Sequence, residues 1–240
     1  MSIAAYVGAE AIEKSLAQTR EHTLVTTVPN VLKHSDDQAL SRAGGNLLEV
    51  NTRLRYESDG VVVLRKCIGL NWVEELREAI DRDIHNPGPY VHSYNSEDST
   101  GYFHGNLRTW ESDSTFRSFC MNSSLPGVAA ALFGSRKVNL LYDQIFVKEP
   151  ATMVRTRWHN DQPYWPVQGR QVASFWVALD HVTTETGALE FVRGSHVSGD
   201  WYQPEAFGPT TGYDAYERNP DYKPIPNIEA EREKYDIVSW

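Results

Sequence analysis

Cysteine is nearly missing from this chain: Cys67 and Cys120 are the only two in 240 residues. Neither a disulfide framework nor a Cys-rich zinc site can be built from them, which points to a reducing compartment. Long apolar runs are missing as well. No stretch reaches the roughly 18 consecutive apolar residues that a membrane span needs. The opening residues, MSIAAYVG, carry no cationic start before an apolar run. A soluble, cytoplasmic protein with no membrane partner is therefore expected. Positive charge is the third shortage: 23 Lys and Arg stand against 32 Asp and Glu, for a formal net charge of -9. A sequence-independent hold on nucleic acid needs the opposite balance, because Lys and Arg must displace counterions from phosphates. There is no basic stripe, internal repeat or low-complexity tract.

What is present is 40% hydrophobic residues, enough to bury one sizeable core in one domain. Residues 5–20 mix Ala, Glu, Lys and Leu without Pro, suiting an exposed helix, and the polar residues 30–46 read as linker. Residues 1–52 are thus expected to be an N-terminal helix and linker, with the packed domain over 53–240. That domain opens with a turn at 56–60, a strand at 61–66, and a helix capped by Asn71 with Val73, Leu76 and Ile80 at helical spacing. Residues 86–106, rich in Gly, Pro, Asn, Ser and aromatics, predict a long ordered loop. A second helix is predicted from about Leu125 to Phe133, ended by Gly134. Short strands follow at 138–148, 154–158, 171–179 and 188–192. Helices first and short strands afterwards predict an α+β chain built on an antiparallel sandwich or barrel.

The stretch with the most chemistry in it is 157–165, RWHNDQPYW, where His159 and Asp161 sit two apart at the end of a predicted strand. A period of two puts both side chains on one face. An imidazole and a carboxylate there make two corners of a two-His, one-carboxylate iron triad, which leaves coordination positions open for co-substrate and oxygen. Alone, the HxD spacing also fits a surface turn. About thirty residues later comes TGALEFVRGSH, residues 186–196, an alternating strand between two Gly turns.

Together the two segments resemble the phytanoyl-CoA dioxygenase family, whose members pair an HxD strand with a GxLxFxPGSH-like strand in a double-stranded β-helix. The resemblance extends over residues 56–80 and the strand DQIFVK at 143–148, covering roughly 53–240. Asn160 stands where Gln is frequent and Arg193 where Pro is usual. It implies a double-stranded β-helix (jelly-roll, cupin-like) core with N-terminal helices, lacking its last C-terminal strands. It further implies an Fe(II)- and 2-oxoglutarate-dependent dioxygenase that hydroxylates a small organic substrate with O2, releasing succinate and CO2. His159 and Asp161 match the metal ligands. Gln144, Asn160 and Trp176 fall where the family contacts 2-oxoglutarate, and Ser174 shares a strand face with Trp176. The alternatives are a core aromatic for Trp176 and a backbone partner for Gln144.

A triad needs a second histidine. The family usually takes it from a later GDxxxFH strand, followed by an Arg that pairs with the 2-oxoglutarate carboxylate, and residues 234–240, KYDIVSW, read as a strand being entered. The chain is expected to be truncated, with either His196 or a residue beyond Trp240 as third ligand. Asp161 argues against a halogenase, in which a small residue typically vacates that position for halide. Tyr164, Trp165, Trp201 and Tyr202, with Tyr102, Phe103 and Trp110, are expected to crowd the mouth of the pocket and suit a partly apolar substrate. His104, in the segment GYFHG, is a candidate for a loop that closes over substrate; His22, His34, His85, His92 and His181 read as surface or packing residues. The competing readings are a non-catalytic cupin-like binding protein, an inactive oxygenase fragment and a zinc-dependent hydrolase.

Overall fold

In β4 (Asn139–Lys148) the chain alternates between two environments, and that alternation organises the molecule. Asp143 and Ile145 are fully buried, whereas Tyr142, Gln144 and Phe146 line an open cavity. The computed structural model describes residues 1–6, 50–95, 101–152, 154–205 and 218–240. Within them β4 belongs to an antiparallel sheet of order β2-β3-β4-β1-β5, with β1 Ser2–Tyr6, β2 Val91–Ser93, β3 Phe103–Leu107 and β5 Val172–Trp176. A second antiparallel sheet joins β6 (Phe191–Val192) to β7 (Ile237–Val238).

Helices cover the Ile145 side. In α2 (Leu70–His85), Trp72, Leu76, Ala79, Ile80 and Asp83 recur at three- and four-residue spacing and make one inward stripe. The stripe meets Phe116, Phe119 and Cys120 of α3 (Ser114–Asn122) together with Leu125 of α4 (Leu125–Phe133) and Ile145. The Trp72 and Phe119 rings meet edge to face at 5.4 Å. Leu76, Phe116 and Phe119 are fully buried, each stabilising the fold by about 1.5–3 kcal/mol. Asp113 starts α3 by accepting from the backbone N–H groups of Thr115 and Phe116. Gly134 ends α4 in the left-handed region at φ 61°, as its sequence predicts.

Several expectations are corrected. Residues 56–60, predicted as a turn, mostly continue α1 (Val50–Asp59), and only Gly60 turns the chain, at φ 78°. Residues 61–66 form no strand, and Gly69, not Asn71, caps α2. The predicted loop 86–106 instead contains β2 and β3, paired antiparallel with His92 opposite Gly105. β3 carries no polar-out pattern because four of its five residues are buried, the polar His104 and Asn106 among them. Residues 154–158 lack a regular strand in the part that is described. Residues 5 and 6, predicted to begin a helix, close β1, which lies between β4 and β5; the rest of that predicted helix and the linker 30–46 lie outside the described residues. Next to β1, the Met1 amine donates to the Val177 carbonyl at 3.1 Å, and the Val177 N–H donates back to Met1 at 2.7 Å. No helix among the described residues is long and apolar enough to cross a membrane.

Candidate metal and co-substrate site

His159 and Asp161 lie where extended chain gives way to a single 3-10 turn, Gln162–Tyr164. The turn is fixed from outside: Trp165 donates its indole N–H to the Tyr142 hydroxyl at 2.7 Å, and Tyr164 donates its hydroxyl to the Glu205 carbonyl at 2.8 Å. Tyr164 also presents its ring edge-on to His159, centroids 6.0 Å apart.

The carbonyl of Arg157 lies 2.6 Å from Nδ1 of His159. A carbonyl only accepts, so Nδ1 carries a proton, and in the neutral ring Nε2 is left with its lone pair. That Nε2 faces Oδ1 of Asp161 at 3.1 Å. Two acceptors this close repel each other unless a proton or a metal cation lies between them. The protonation equilibria follow from that. Burial works against a charged His159, but the hydrogen bond and charge of Asp161, aided by the Arg157 carbonyl, outweigh it and lift its pKa above the usual imidazole value. Burial likewise opposes ionised Asp161, yet His159 and the Ser174 hydroxyl hold its pKa below the usual carboxylate value. Ser174 Oγ donates to Asp161 Oδ2 at 2.9 Å, fixing the carboxylate plane. The side chains of His159 and Asp161 are 23% and 41% exposed, so a small ligand reaches both.

One open cavity of about 3270 Å³ is bordered by a large part of the chain, His159, Asp161, Gln144, Asn160, Ser174 and Trp176 among them. Ser174 and Trp176 face it because their neighbours Ala173 and Phe175 pack into the core. Trp176 is 40% exposed, which sets aside the reading of it as a core aromatic. Gln144 donates to the Tyr94 hydroxyl at 3.0 Å, a side chain rather than the buried backbone group considered for it. Tyr164, Trp165, Trp201, Tyr202, Phe103 and Trp110 line the cavity as expected, and Tyr102 does not.

Two histidines have other employment. His196 bonds through Nε2 to the Glu57 carbonyl at 3.0 Å and packs on Gly60, clasping the end of α1. His104 is 2% exposed and pairs with Asp83 of α2 at 2.8 Å, so it is a buried structural group and not part of a closing loop. Among the described residues no group of three or more His, Cys, Asp or Glu side chains is placed to hold a metal ion. His92, expected to be a surface or packing residue, borders the cavity together with Tyr94, and their two-residue spacing is a strand signal within the expected loop.

His159 and Asp161 thus bring one imidazole nitrogen and one carboxylate oxygen together at the edge of a cavity, two donors of the kinds that nitrogen-oxygen metal sites use. The family model for phytanoyl-CoA dioxygenase matches residues 56–237, and the chain belongs to that family. Members of the family have a cupin-like jelly-roll fold and are Fe(II)- and 2-oxoglutarate-dependent oxygenases. No curated protein and no solved structure matches the chain.

Proposed function

We propose that this protein is an Fe(II)- and 2-oxoglutarate-dependent dioxygenase that hydroxylates a small, partly apolar organic molecule. The observation that carries the reading is the 3.1 Å approach of His159 Nε2 and Asp161 Oδ1, two lone-pair donors converging on one cavity wall. His159 and Asp161 hold the metal. Ser174 orients Asp161, and Tyr164 packs the imidazole in place. Gln144, Asn160 and Trp176 form the co-substrate wall, and residues 53–240 act as one oxygenase domain whose two sheets are parts of a double-stranded β-helix. Iron and 2-oxoglutarate together supply oxidative decarboxylation to succinate and CO2, with one atom of O2 entering succinate and the other the substrate C–H bond. The chain's own part is to place one carbon in reach and to keep water out behind Trp165, Trp201 and Tyr202.

The test is O2-dependent conversion of 2-oxoglutarate to succinate by the full chain with Fe(II). The reading requires turnover that falls to background in His159→Ala and Asp161→Ala. Turnover undiminished in both variants would overturn it. A non-catalytic cupin-like binding protein is the second reading, favoured by the lack of a third metal-ligating side chain beside His159 and Asp161 among the described residues. It predicts ligand binding that survives both alanine variants.

A further inference from the structure

Three polar side chains stand in line where β2 and β3 border the cavity. His92 Nδ1 lies 3.1 Å from the Tyr90 carbonyl oxygen, His92 Nε2 meets the Tyr94 hydroxyl, and Gln144 Nε2 lies 3.0 Å from that same hydroxyl. Each role in this line follows from the one before. The Tyr90 carbonyl only accepts, so Nδ1 carries the proton and Nε2 is an acceptor. Tyr94 therefore donates its hydroxyl proton to Nε2 and keeps an oxygen lone pair for the Gln144 amide. Gln144 cannot turn its amide over without setting its carbonyl oxygen against that lone pair. Burial lowers the His92 pKa, with the Tyr90 carbonyl opposing and a nearby His104 assisting, in keeping with a neutral ring.

The pair is also held rigidly. A Cβ on Gly105, the residue opposite His92, would lie 2.7 Å from both His92 Nε2 and Tyr94 Cε2, so the strand makes room for them only with glycine. The Tyr94 ring is 6% exposed and packs on Phe103 and Phe146, with centroids 4.6 and 6.1 Å away. Its hydroxyl is thus a fixed post aimed at Gln144, which borders the same cavity as His159 and Asp161.

We infer that His92 and Tyr94 are positioning residues that lock the Gln144 amide, committing one N–H to Tyr94 and leaving the second N–H and the carbonyl oxygen to a ligand in the cavity. Resting on the oxygenase reading, that ligand is 2-oxoglutarate, whose carboxylate oxygens accept from the remaining N–H.

Tyr94→Phe keeps the ring and removes the hydroxyl. Anaerobic titration of the Fe(II)-loaded full chain with 2-oxoglutarate should show the Kd rising about 5- to 10-fold in this variant, the scale of one hydrogen bond, with Fe(II) affinity unchanged. His92→Leu should weaken binding similarly. His92→Gln, whose carbonyl can accept from Tyr94, should restore it. Histidine 15N NMR on the metal-free chain reads the relay without co-substrate: His92 should be protonated at Nδ1 and bare at Nε2, with the Nε2 signal moving in Tyr94→Phe. An unchanged Kd in Tyr94→Phe, or a His92 protonated only at Nε2, overturns the inference. If the wild-type chain binds no 2-oxoglutarate the oxygenase reading fails, and the NMR arm then decides the relay alone: a moving Nε2 signal upholds it and a static one overturns it.

Discussion

Ser174 Oγ donates to Asp161 Oδ2 at 2.9 Å while Asp161 Oδ1 faces His159, so a residue of β5 aims the carboxylate at the imidazole across thirteen residues of chain. Removing that hydroxyl frees the carboxylate to rotate. Ser174→Ala should weaken Fe(II) binding by about 10-fold, at the lower end of the range for groups that orient metal ligands. Because the position is exposed, stability should change by less than about 1 kcal/mol. Metal titration and urea unfolding on the same preparation separate the two effects; a large loss of stability with unchanged metal affinity would show Ser174 to be a packing residue.

Asp83 receives His104 Nε2 and Asn106 Nδ2, each at 2.8 Å, all three buried between α2 and β3. Asp83→Ala would leave both donors without a partner in the interior. It should cost about 3–5 kcal/mol, whereas Asp83→Asn, which keeps the shape, should cost less. Chemical denaturation of the two variants measures the difference, and equal losses would mean that volume rather than hydrogen bonding holds this junction.

Asp143 sets a pH dependence. Burial raises its pKa from an ordinary 3.8 to about 6, against the Thr109 hydroxyl and Trp110 N–H that donate to it and with help from the charge of Glu111. The folded state therefore binds the proton more tightly than the unfolded state. The stabilisation is complete below the unfolded pKa and is lost as pH rises through the folded one. A shift of about two pKa units corresponds to about 3 kcal/mol. Asp143→Asn, which mimics the protonated group, should match the wild type near pH 4 and exceed it in stability at about pH 8, by an amount of that order. Parallel stability-pH curves for the two proteins would contradict this.

The parts of the fold legible in the sequence were those with one face in the core. α4 with its Gly134 stop and β4 were readable because period and punctuation agreed. The α3 signal was also present, with Asp113 capping and Phe116, Phe119 and Cys120 at helical spacing, yet it passed unread beside the aromatic-rich stretch before it. β2 is too short, at three residues, to show a period, β3 buries the polar His104 and Asn106 where a polar residue signals solvent, and Gly105, which resembles a loop residue, is there to admit His92 and Tyr94. The seat of β1 between β4 and β5 depends on contacts more than a hundred residues distant, which no local pattern records. At the site, the HxD spacing put an imidazole and a carboxylate side by side, and the residues named from the resemblance border one cavity. The clasp of His196 on α1 and the hydrogen bond from Ser174 required coordinates.

The most direct measurement is anaerobic titration of the full chain with Fe(II) in the presence of 2-oxoglutarate, followed by the weak visible charge-transfer band of the bound pair, with His159→Ala alongside. The account predicts a band that needs both components and disappears in the variant. A wild-type chain that gives no band, or a band that persists undiminished without His159, would contradict it.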